Sequence, residues 1–451
     1  ICACLVGSEM CIRDSFKIGG VFLNRKGVLR FMFVFMLLLL LPFTISKAKD
    51  FPANPIEKAG YKLDFSDEFN GPTLDREKWT DYYLPHWCKD PESAKANYRF
   101  ENGSLVEYIT EDQKPWCPER DGTVRSSAIM SFDKSWIHNF SGTTDNHERN
   151  EWRGYTTKYG YFEIRAKLSN TGGGGHQAWW MVGMQDDTND WFNSKQTGEI
   201  DILETFFSKK DTWRIAAYGW NDPNFQTSWT ISEDKVPSGN PTSEYHIYAM
   251  EWTPTALKFY YDNELFKVIY GSPDYEMGTI LNIYTDAGSG VHNDVWPKEW
   301  AIDYMRVWKP VDGYKESESL NNYLIRNRQT GKFLYIEENN DKVSYGDITL
   351  NNEKNAKWSK EYRDGYTLLK NNETGEYLNI ENQTGYIEHG KVPKTWWSAQ
   401  WSEVPVDGYT RFVNRWKPNM SIHTESYEGI LQYGNVPNTY WTSQWQLIPV
   451  E

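Results

Sequence analysis

The chain has 451 residues, a formal net charge of −14 and an aromatic content of 16%. The negative charge argues against a nucleic-acid-binding protein and mildly against a polyanionic substrate, because both need basic surfaces. The 22 tryptophans exceed what a core of this size requires, so part of the aromatic surface is expected to contact a ligand, and flat pyranose rings suit such stacking.

The first 48 residues look like processing signals. Residues 1–16 resemble translated sequencing-adapter sequence and are excluded from the fold. Basic residues then precede an apolar run over residues 31–41, and residues 46–48 form a small-x-small cleavage site. The run is short for a membrane span, so it predicts a secretory signal, with a retained anchor as the alternative. We therefore expect a secreted protein, extracellular or periplasmic, with no membrane contact after signal removal.

The mature chain, residues 49–451, is long enough for more than one domain. Loss of the six basic and two acidic residues before it takes the net charge from −14 to −18. Its two cysteines, Cys88 and Cys117, are expected to form a disulfide in an exported protein, and a reduced pair is the alternative. We expect a monomer.

Segments with the alternation of β-strands continue along the chain. Residues 161–168 and 257–262 are examples, and Gly, Asn and Pro break up such segments. The chain shows no long stretch of helical periodicity, so an all-β sandwich is predicted.

One stretch, residues 198–204, carries three carboxylates among apolar residues and is predicted to be a buried strand. Side chains alternate along a strand, so Glu199 and Asp201 share a face while Glu204 would point away. A β-bulge at residues 202–203 would return Glu204 to the face of the other two acids.

Crowded carboxylates separate one another's pKa values, so one acid stays charged and another protonated. Glycoside hydrolysis with retention needs this pair, a nucleophile and a general acid roughly 5 to 5.5 Å apart. The spacing alone also fits a calcium site or a solvated acidic strand.

Several stretches between about residues 60 and 310 share the pattern of glycoside hydrolase family 16. Besides the acid row they are Asp67-Glu68-Phe69-Asn70-Gly71, Glu101-Asn102-Gly103, residues 159–167, Ala178-Trp179-Trp180, residues 248–253 and residues 303–308. The resemblance implies a β-jelly-roll domain over residues 49–310 whose concave sheet forms the substrate cleft. It also implies retaining, mostly endo action on β-linked polysaccharides, with no cofactor required for catalysis.

Carried onto this chain, the resemblance makes Glu199 the nucleophile, Glu204 the general acid and base, and Asp201 the acid that supports both. The extra residue before Glu204 resembles the bulged branch of the family, which includes many β-1,3-glucanases, agarases and carrageenases.

Substrate-binding residues are expected around the acid row. Trp191 matches a position where the family often places a sugar-stacking tryptophan. Trp179 and Trp180 must face opposite sides of a strand, so at most one of them lines the cleft. A glycine-rich loop ends at His176 and is a further candidate, with a plain turn as the alternative. Other tryptophans are more consistent with packing than with binding; they are Trp116, Trp136, Trp213 and Trp220.

The segment from Tyr82 to Trp152 is longer than the family minimum, contains His138, and is expected to form loops over the cleft. The resemblance also implies a possible structural calcium ion bound by Glu68, the carbonyl of Gly103, and Asp303.

After a linker over residues 311–322, residues 323–451 contain a threefold repeat. Three such units suit a β-trefoil, in which each copy needs its neighbours to bury a shared core. The repeat is carried by Asn327-Arg328-Gln329-Thr330-Gly331, Asn371-Asn372-Glu373-Thr374-Gly375 and Asn414-Arg415-Trp416-Lys417-Pro418, and each unit closes with one of Trp358, Trp401 and Trp445.

This region resembles the ricin-type carbohydrate-binding modules. Three tryptophans in loops, Trp396, Trp397 and Trp441, are the candidates for sugar stacking, with Glu337 and Glu381 as polar partners. The first repeat lacks the Thr-Trp-Trp element, so a sugar site is not expected there. A plain interaction module is the alternative.

These observations predict a secreted, retaining endo-β-glycosidase with a tethered carbohydrate-binding module. A β-1,3- or mixed-linkage β-glucan is the expected substrate, and an algal galactan such as agarose or carrageenan is the second choice. The acids would also serve transglycosylation. A protein that binds glucan without cleaving it is a separate reading of the same sandwich, although Glu199 and Glu204 are both present.

Overall fold

The computed structural model describes the protein from Lys49 onward. The predicted signal segment and Trp191 lie outside the residues that it describes. None of the helices among those residues is both long and apolar enough to cross a bilayer. The described residues are 49–138, 148–184, 196–220, 222, 225, 230–285, 295–314, 321–349 and 351–450.

Antiparallel strands are the main secondary structure of the described residues before residue 311. They are β1 (Tyr61–Asp67), β2 (Tyr98–Glu101), β3 (Ser104–Ile109), β4 (Ser126–Met130), β5 (Phe132–Asp133), β6 (Trp152–Arg153), β7 (Thr156–Thr157), β8 (Gly160–Lys167), β9 (His176–Gly183), β10 (Glu199–Phe206), β11 (Thr212–Tyr218), β12 (Thr230–Lys235), β13 (His246–Trp252), β14 (Ala256–Tyr261), β15 (Glu264–Tyr270), β16 (Met277–Tyr284) and β17 (Lys298–Pro310). Short helices interrupt them at Pro85–Trp87, Pro91–Ala94 and Pro118–Asp121.

Apart from β5 and β6, which pair only with each other, the strands form two facing sheets. One has the order β15-β14-β13-β8-β17-β3-β2, with β1 paired to β17; the other has the order β12-β11-β10-β9-β16-β4, with β7 paired to β16. Alternation decides what lies between them: in β8, Phe162 and Ile164 enter the core, whereas Glu163 accepts from the Tyr304 hydroxyl on the other face. The predicted all-β class is confirmed, and the jelly-roll-like sandwich with it.

The second sheet carries apolar side chains on its other face too. Trp180 and Val182 of β9 form a cluster there with Leu84, Trp87 and Trp116, which come from the long segment between Tyr82 and Trp152. That segment therefore covers part of the sheet that holds the acid row, as the sequence predicts.

Residues 323–450 form a third group of strands. They are β18 (Tyr323–Asn327), β19 (Phe333–Ile336), β20 (Val343–Gly346), β21 (Trp358–Arg363), β22 (Tyr366–Asn371), β23 (Tyr377–Asn379), β24 (Glu388–Gly390), β25 (Trp401–Val406), β26 (Tyr409–Asn414), β27 (Ser421–His423), β28 (Gln432–Gly434) and β29 (Trp445–Pro449). Single helical turns lie at Lys354–Ala356, Trp397–Ala399 and Trp441–Ser443.

This group repeats its geometry three times. Strands β18, β21, β22, β25, β26 and β29 pair in a closed ring, and the hairpins β19-β20, β23-β24 and β27-β28 meet at one end. Backbone amides of Val343, Ile387 and Leu431 donate around a triangle, each to the next carbonyl at 2.8 to 2.9 Å. The three closing tryptophans are fully buried, and each donates its indole N–H to a carbonyl: Trp358 to Leu334, Trp401 to Leu378 and Trp445 to Ile422.

Tyr270, at the end of β15, joins the two parts of the chain. Its ring meets Phe333 edge to face with centroids 6.0 Å apart, and it packs against a cluster that contains Leu324 and Ile448. Contacts unite Lys49–Glu451 into one unit.

The two cysteines are buried free thiols, so the prediction of a disulfide is wrong. Each thiol instead donates to a carbonyl: Cys88 Sγ to Trp116 at 3.3 Å, and Cys117 Sγ to Trp87 at 3.2 Å. The hydrogen bond with Cys88, together with burial, raises the pKa of Cys117 well above its ordinary value, so the protonated thiol is the stable form.

We expect a reducing agent to leave the melting temperature of the protein unchanged, because the thiols form no bond that it can break. A disulfide closing this loop would contribute about 3 to 4 kcal/mol, so its reduction would lower the melting temperature by several degrees. Thermal unfolding with and without dithiothreitol measures the difference. Mass spectrometry after alkylation under denaturing conditions is the control: both cysteines should carry the label without prior reduction, and a linked peptide pair would contradict the free thiols.

Candidate active site

The acid row lies on β10, in the middle of its sheet. The pairing of β10 with β9 places Asp201 opposite Trp180 and Leu203 opposite Trp179, and the register shifts between these two pairs. Pairing with β11 shifts between Asp201 and Glu204. This is the predicted bulge. It sends Ile200, Ile202 and Leu203 into the core between the sheets and leaves the carboxylates on the other face.

The side chain of Glu199 is held at one oxygen. Trp220 donates its indole N–H to Oε2 of Glu199 at 3.0 Å. His138 Nε2 lies 3.9 Å from the same oxygen. The Glu199 side chain is 12% exposed. Both contacts fall on Oε2, so Trp220 and His138 orient the Glu199 carboxylate from one side.

Burial dominates the electrostatics of the row. It raises the pKa of Glu199 well above its ordinary value, and the charge of Asp201 adds to that effect. Burial also raises the pKa of Asp201, to about 7. Arg214 lowers the pKa of both acids, and the Trp220 hydrogen bond lowers that of Glu199. Because the two acids interact, Glu199 and Asp201 lose their protons in linked steps. At acidic pH the pair therefore still holds a proton.

Glu204 has a different surrounding. It forms an ion pair with Arg214 of β11, and His176 Nε2 lies 3.9 Å from its Oε1. Arg214 also donates to the Tyr218 hydroxyl at 3.1 Å. Since Arg214 contacts Glu204 and acts on the other two acids, the three carboxylates face one cluster, as the bulge requires.

The buried histidine beside Glu199 is neutral. Desolvation, with smaller contributions from Arg120 and His86, lowers the pKa of His138 to about 3. Its ring is parallel to that of Trp87 at 5.9 Å and meets Trp180 edge to face at 5.0 Å. A neutral imidazole in this position adds no charge next to the nucleophile candidate.

The structure separates the two neighbouring tryptophans. Trp180 lies on the face of the acids and donates to Asn282 Oδ1 at 2.7 Å. Trp179 is fully buried between the sheets and donates to Thr279 Oγ1 at 2.9 Å, so it cannot bind substrate. His176 lies beside the acid row because its Nε2 is near Oε1 of Glu204. Its ring stacks on that of Tyr284, with the centroids 5.3 Å apart.

Sequence reasoning missed three functional candidates: Trp220, His138 and Arg214. It assigned Trp220 to packing, noted His138 only as part of a long segment, and did not single out Arg214. Trp220 and His138 have positive φ angles of 47° and 54°, a conformation that costs bulky residues energy and that clusters at functional sites. Arg214 lies opposite Glu204 on β11, which pairs with β10. An arginine on the strand that follows the acid row is the signal that could have found it.

The expected calcium ligands do not fit a cation. Arg306 donates to both carboxylate oxygens of Glu68 at 2.7 Å, and Arg165 pairs with Asp303 at 2.7 Å. Gly103 lies in the turn between β2 and β3. Guanidinium groups already neutralise these acids, so the calcium prediction is wrong. No cluster of three His, Cys, Asp or Glu side chains suited to a metal occurs within the described ranges.

The candidate residues of the C-terminal region lie on its surface. Trp396, Trp397 and Trp441 are 41%, 52% and 49% exposed. Glu381 follows Ile380, whose amide donates to the carbonyl of Ser398, so it lies near the first two. Glu337 is exposed in the first repeat, where it accepts from the Tyr335 hydroxyl at 3.0 Å.

Comparison with known proteins gives one family. The family described as Glycosyl hydrolases family 16 matches residues 143–306. A glucan endo-1,3-beta-glucosidase A1 from Niallia circulans is 27% identical over 284 residues, which cover 56% of this chain and 38% of that protein. A keratan-sulfate endo-1,4-beta-galactosidase from Sphingobacterium multivorum is 25% identical over 283 residues, covering 59% of this chain and 60% of that protein. The chain thus spans less than two thirds of the length of these two relatives.

A solved structure is far more similar. It is described as a GlcNAcα1-4Gal releasing endo-β-galactosidase from Clostridium perfringens and is 98% identical in sequence. The match covers 90% of this chain and 100% of that chain, with a TM-score of 0.62.

We expect Trp220→Phe to move the acid limb of the pH profile to higher pH. The indole N–H stabilises ionised Glu199, so its loss raises the pKa of that acid and leaves less nucleophile at a given pH. A hydrogen bond to a charged group is worth about 1.5–3 kcal/mol, so kcat/KM should fall roughly 10- to 100-fold. The pH dependence of kcat/KM on a soluble glycoside substrate measures both changes.

Trp416→Phe is the matched control, because it removes an indole from the exposed surface of the C-terminal region. Its profile should coincide with that of the unsubstituted protein. An unchanged acid limb in Trp220→Phe would contradict the role of the indole, even if activity fell.

Proposed function

The chain belongs to glycoside hydrolase family 16, and from this premise we propose that it is a retaining endo-β-galactosidase that releases GlcNAcα1-4Gal from glycans. The observation that carries the substrate is the 98% identity with the Clostridium perfringens enzyme over all of that chain. The keratan-sulfate endo-galactosidase relative supports the same class of bond. The intact acid row supports hydrolysis rather than binding alone, because Glu199 and Glu204 are both in place.

In the first step, Glu199 attacks the anomeric carbon and forms a covalent galactosyl-enzyme, while Glu204 gives a proton to the departing oxygen. In the second step, Glu204 takes a proton from water, which attacks the same carbon and restores Glu199. Trp220 orients the Glu199 carboxylate for this attack through its hydrogen bond to Oε2. The protonation of Asp201 is linked to that of Glu199. A proton held by this pair lowers the negative charge of the acid row.

In the free protein Glu204 pairs with Arg214. An adjacent guanidinium favours a carboxylate over a carboxylic acid. Proton donation by Glu204 therefore requires that bound substrate weaken this ion pair. Arg214 has a second partner in the Tyr218 hydroxyl, which keeps it in place beside the row when that happens.

A β-1,3- or mixed-linkage β-glucan is the second candidate substrate. The glucanase from Niallia circulans supports it, at 27% identity over 56% of this chain. Assignment to the bulged branch of the family, with its laminarinases, agarases and carrageenases, belongs to the same proposal and is supported by the register shift in β10.

We also propose that residues 323–451 form a β-trefoil of the ricin type that binds carbohydrate. The closed ring of strands and the three buried tryptophans support this fold. A tethered module raises the local concentration of the active site on a glycan. Secretion of the protein, based on the apolar run over residues 31–41, and its monomeric state are part of the proposal as well.

Glu199→Gln is expected to lower turnover at least about 10³-fold, because the amide cannot act as the nucleophile.

The unsubstituted protein is tested on four substrates: a glycoprotein that carries terminal GlcNAcα1-4Gal, laminarin, agarose and κ-carrageenan. We expect it to release the disaccharide only from the glycoprotein. A proton NMR time course should show the β anomer of the disaccharide as the initial product.

Glu299→Gln is the control for the charge change, since Glu299 is a half-exposed partner of Arg99 at a distance from the row. It should retain full turnover. Products from laminarin alone would replace the galactosidase proposal with a glucanase. Binding without products from any of the four would identify a recognition protein.

A further inference from the structure

The threefold region has one backbone position that recurs in every repeat. The amide of Arg328 donates to the carbonyl of Gln444 at 2.8 Å, and the amide of Arg415 donates to the carbonyl of Gln400 at 2.8 Å. In the remaining repeat Asn372 donates to the carbonyl of Lys357 at 2.9 Å. The backbone is therefore the same three times, whereas the side chain is arginine twice and asparagine once.

One arginine supports an exposed tryptophan. The guanidinium carbon of Arg415 lies 4.4 Å from the ring centroid of Trp397 and 4.4 Å from that of Tyr366. Its Nη1 donates to Gln400 Oε1 at 2.5 Å and to Asp364 Oδ2 at 3.3 Å. Two stacking contacts and two hydrogen bonds fix this arginine beneath the indole.

The other arginine repeats the arrangement. Arg328 lies 4.3 Å from the ring centroid of Trp441 and 4.5 Å from that of Tyr409. Its Nη1 donates to Gln444 Oε1 at 2.6 Å and to Asp407 Oδ2 at 3.4 Å. Each distance is within 0.1 Å of its counterpart around Arg415.

The two tryptophans remain about half exposed, 52% for Trp397 and 49% for Trp441. Each follows a second exposed aromatic residue, Trp396 at 41% and Tyr440 at 49%. Each stands at the start of a single helical turn, and the corresponding turn of the first repeat starts at Lys354. The turn at Lys354 therefore lacks the aromatic pair, and Asn372 of the second repeat stands beside it where the other two turns have an arginine.

We propose that the Arg415–Trp397 and Arg328–Trp441 stacks are two equivalent carbohydrate-binding platforms, and that the equivalent turn at Lys354 has none. The inference deepens the proposed carbohydrate binding of this region and rests on it. It adds the arginine, tyrosine, glutamine and aspartate that build each platform, and it fixes the number of sites at two.

A neutral sugar ring is the ligand that fits. The guanidinium groups contact Gln and Asp oxygens, and the carboxylates beside them are 60% and 72% exposed, so an anionic ligand would meet negative charge. The open surface of each platform is an aromatic face, and pyranose C–H faces stack on such rings. An arginine stacked on an indole limits the motion of the ring before the ligand arrives, which reduces the entropic cost of binding.

Two platforms on one rigid ring predict bivalent binding. A glycan that presents several chains can engage both, so loss of one platform weakens retention on a multivalent surface far more than it weakens binding of a single sugar.

The test uses the full chain with Glu199→Gln, which prevents turnover of the probes. Isothermal titration with the disaccharide GlcNAcα1-4Gal, and separately with laminarihexaose, gives the number of sites. Trp397→Ala and Trp441→Ala should each reduce that number by one, and the double variant by two. On polyacrylamide carrying many copies of the bound sugar, the double variant should lose affinity by about 10²-fold or more.

Lys354→Ala, at the equivalent turn of the first repeat, is the matched control and should leave stoichiometry and affinity unchanged. Melting curves verify folding, and Trp397→Phe and Trp441→Phe should retain part of the binding because they keep an aromatic ring. Unchanged stoichiometry in the double variant, with a probe still bound by this region, would overturn the platforms but keep the module. If the chain with Glu199→Gln binds sugar only in the cleft, the proposed carbohydrate binding of residues 323–451 is overturned. Hydrolysis by the unsubstituted chain tests the proposed enzyme separately.

Discussion

Burial of a row of three carboxylates is the constraint on which this site depends. Burial raises the pKa of Glu199 and of Asp201, and the charge of Asp201 raises that of Glu199 further. Arg214 opposes this from the neighbouring strand by lowering the pKa of both acids and pairing with Glu204. The bulge in β10 makes the arrangement possible, because the same strand fills the core with apolar residues on one face and presents all three acids on the other.

Local rules were enough to predict much of this. Alternation along a strand required a bulge if Glu204 was to join Glu199, and the register shift is there. The all-β class and the family follow from motifs spread over the chain, and the prediction of an endo-acting glycoside hydrolase of β-linked glycans is confirmed by the family match and the relatives. Residue roles within the site are physical assignments and stay predictions.

What the sequence could not predict depends on distant partners. Parity placed Trp179 and Trp180 on opposite faces, but only the packing of the two sheets decides which face is the core. The calcium expectation failed because arginines 238 and 138 residues away occupy the acids. The disulfide prediction failed because it rested on the compartment, whereas the fold gives each thiol a carbonyl acceptor.

The excess of tryptophan has a structural division. Among the tryptophans that the structure describes, ten are at most 1% exposed, including Trp358, Trp401 and Trp445, which close the three repeats. Exposed tryptophans among the described residues lie in the C-terminal region, and Trp397 and Trp441 rest on arginines that Asn372 replaces in the remaining repeat. Folding requires the buried set in every repeat, because the ring of strands closes only when each unit contributes its core. It places no such demand on the exposed set, so repeats that share a backbone are free to differ in what they present to a glycan.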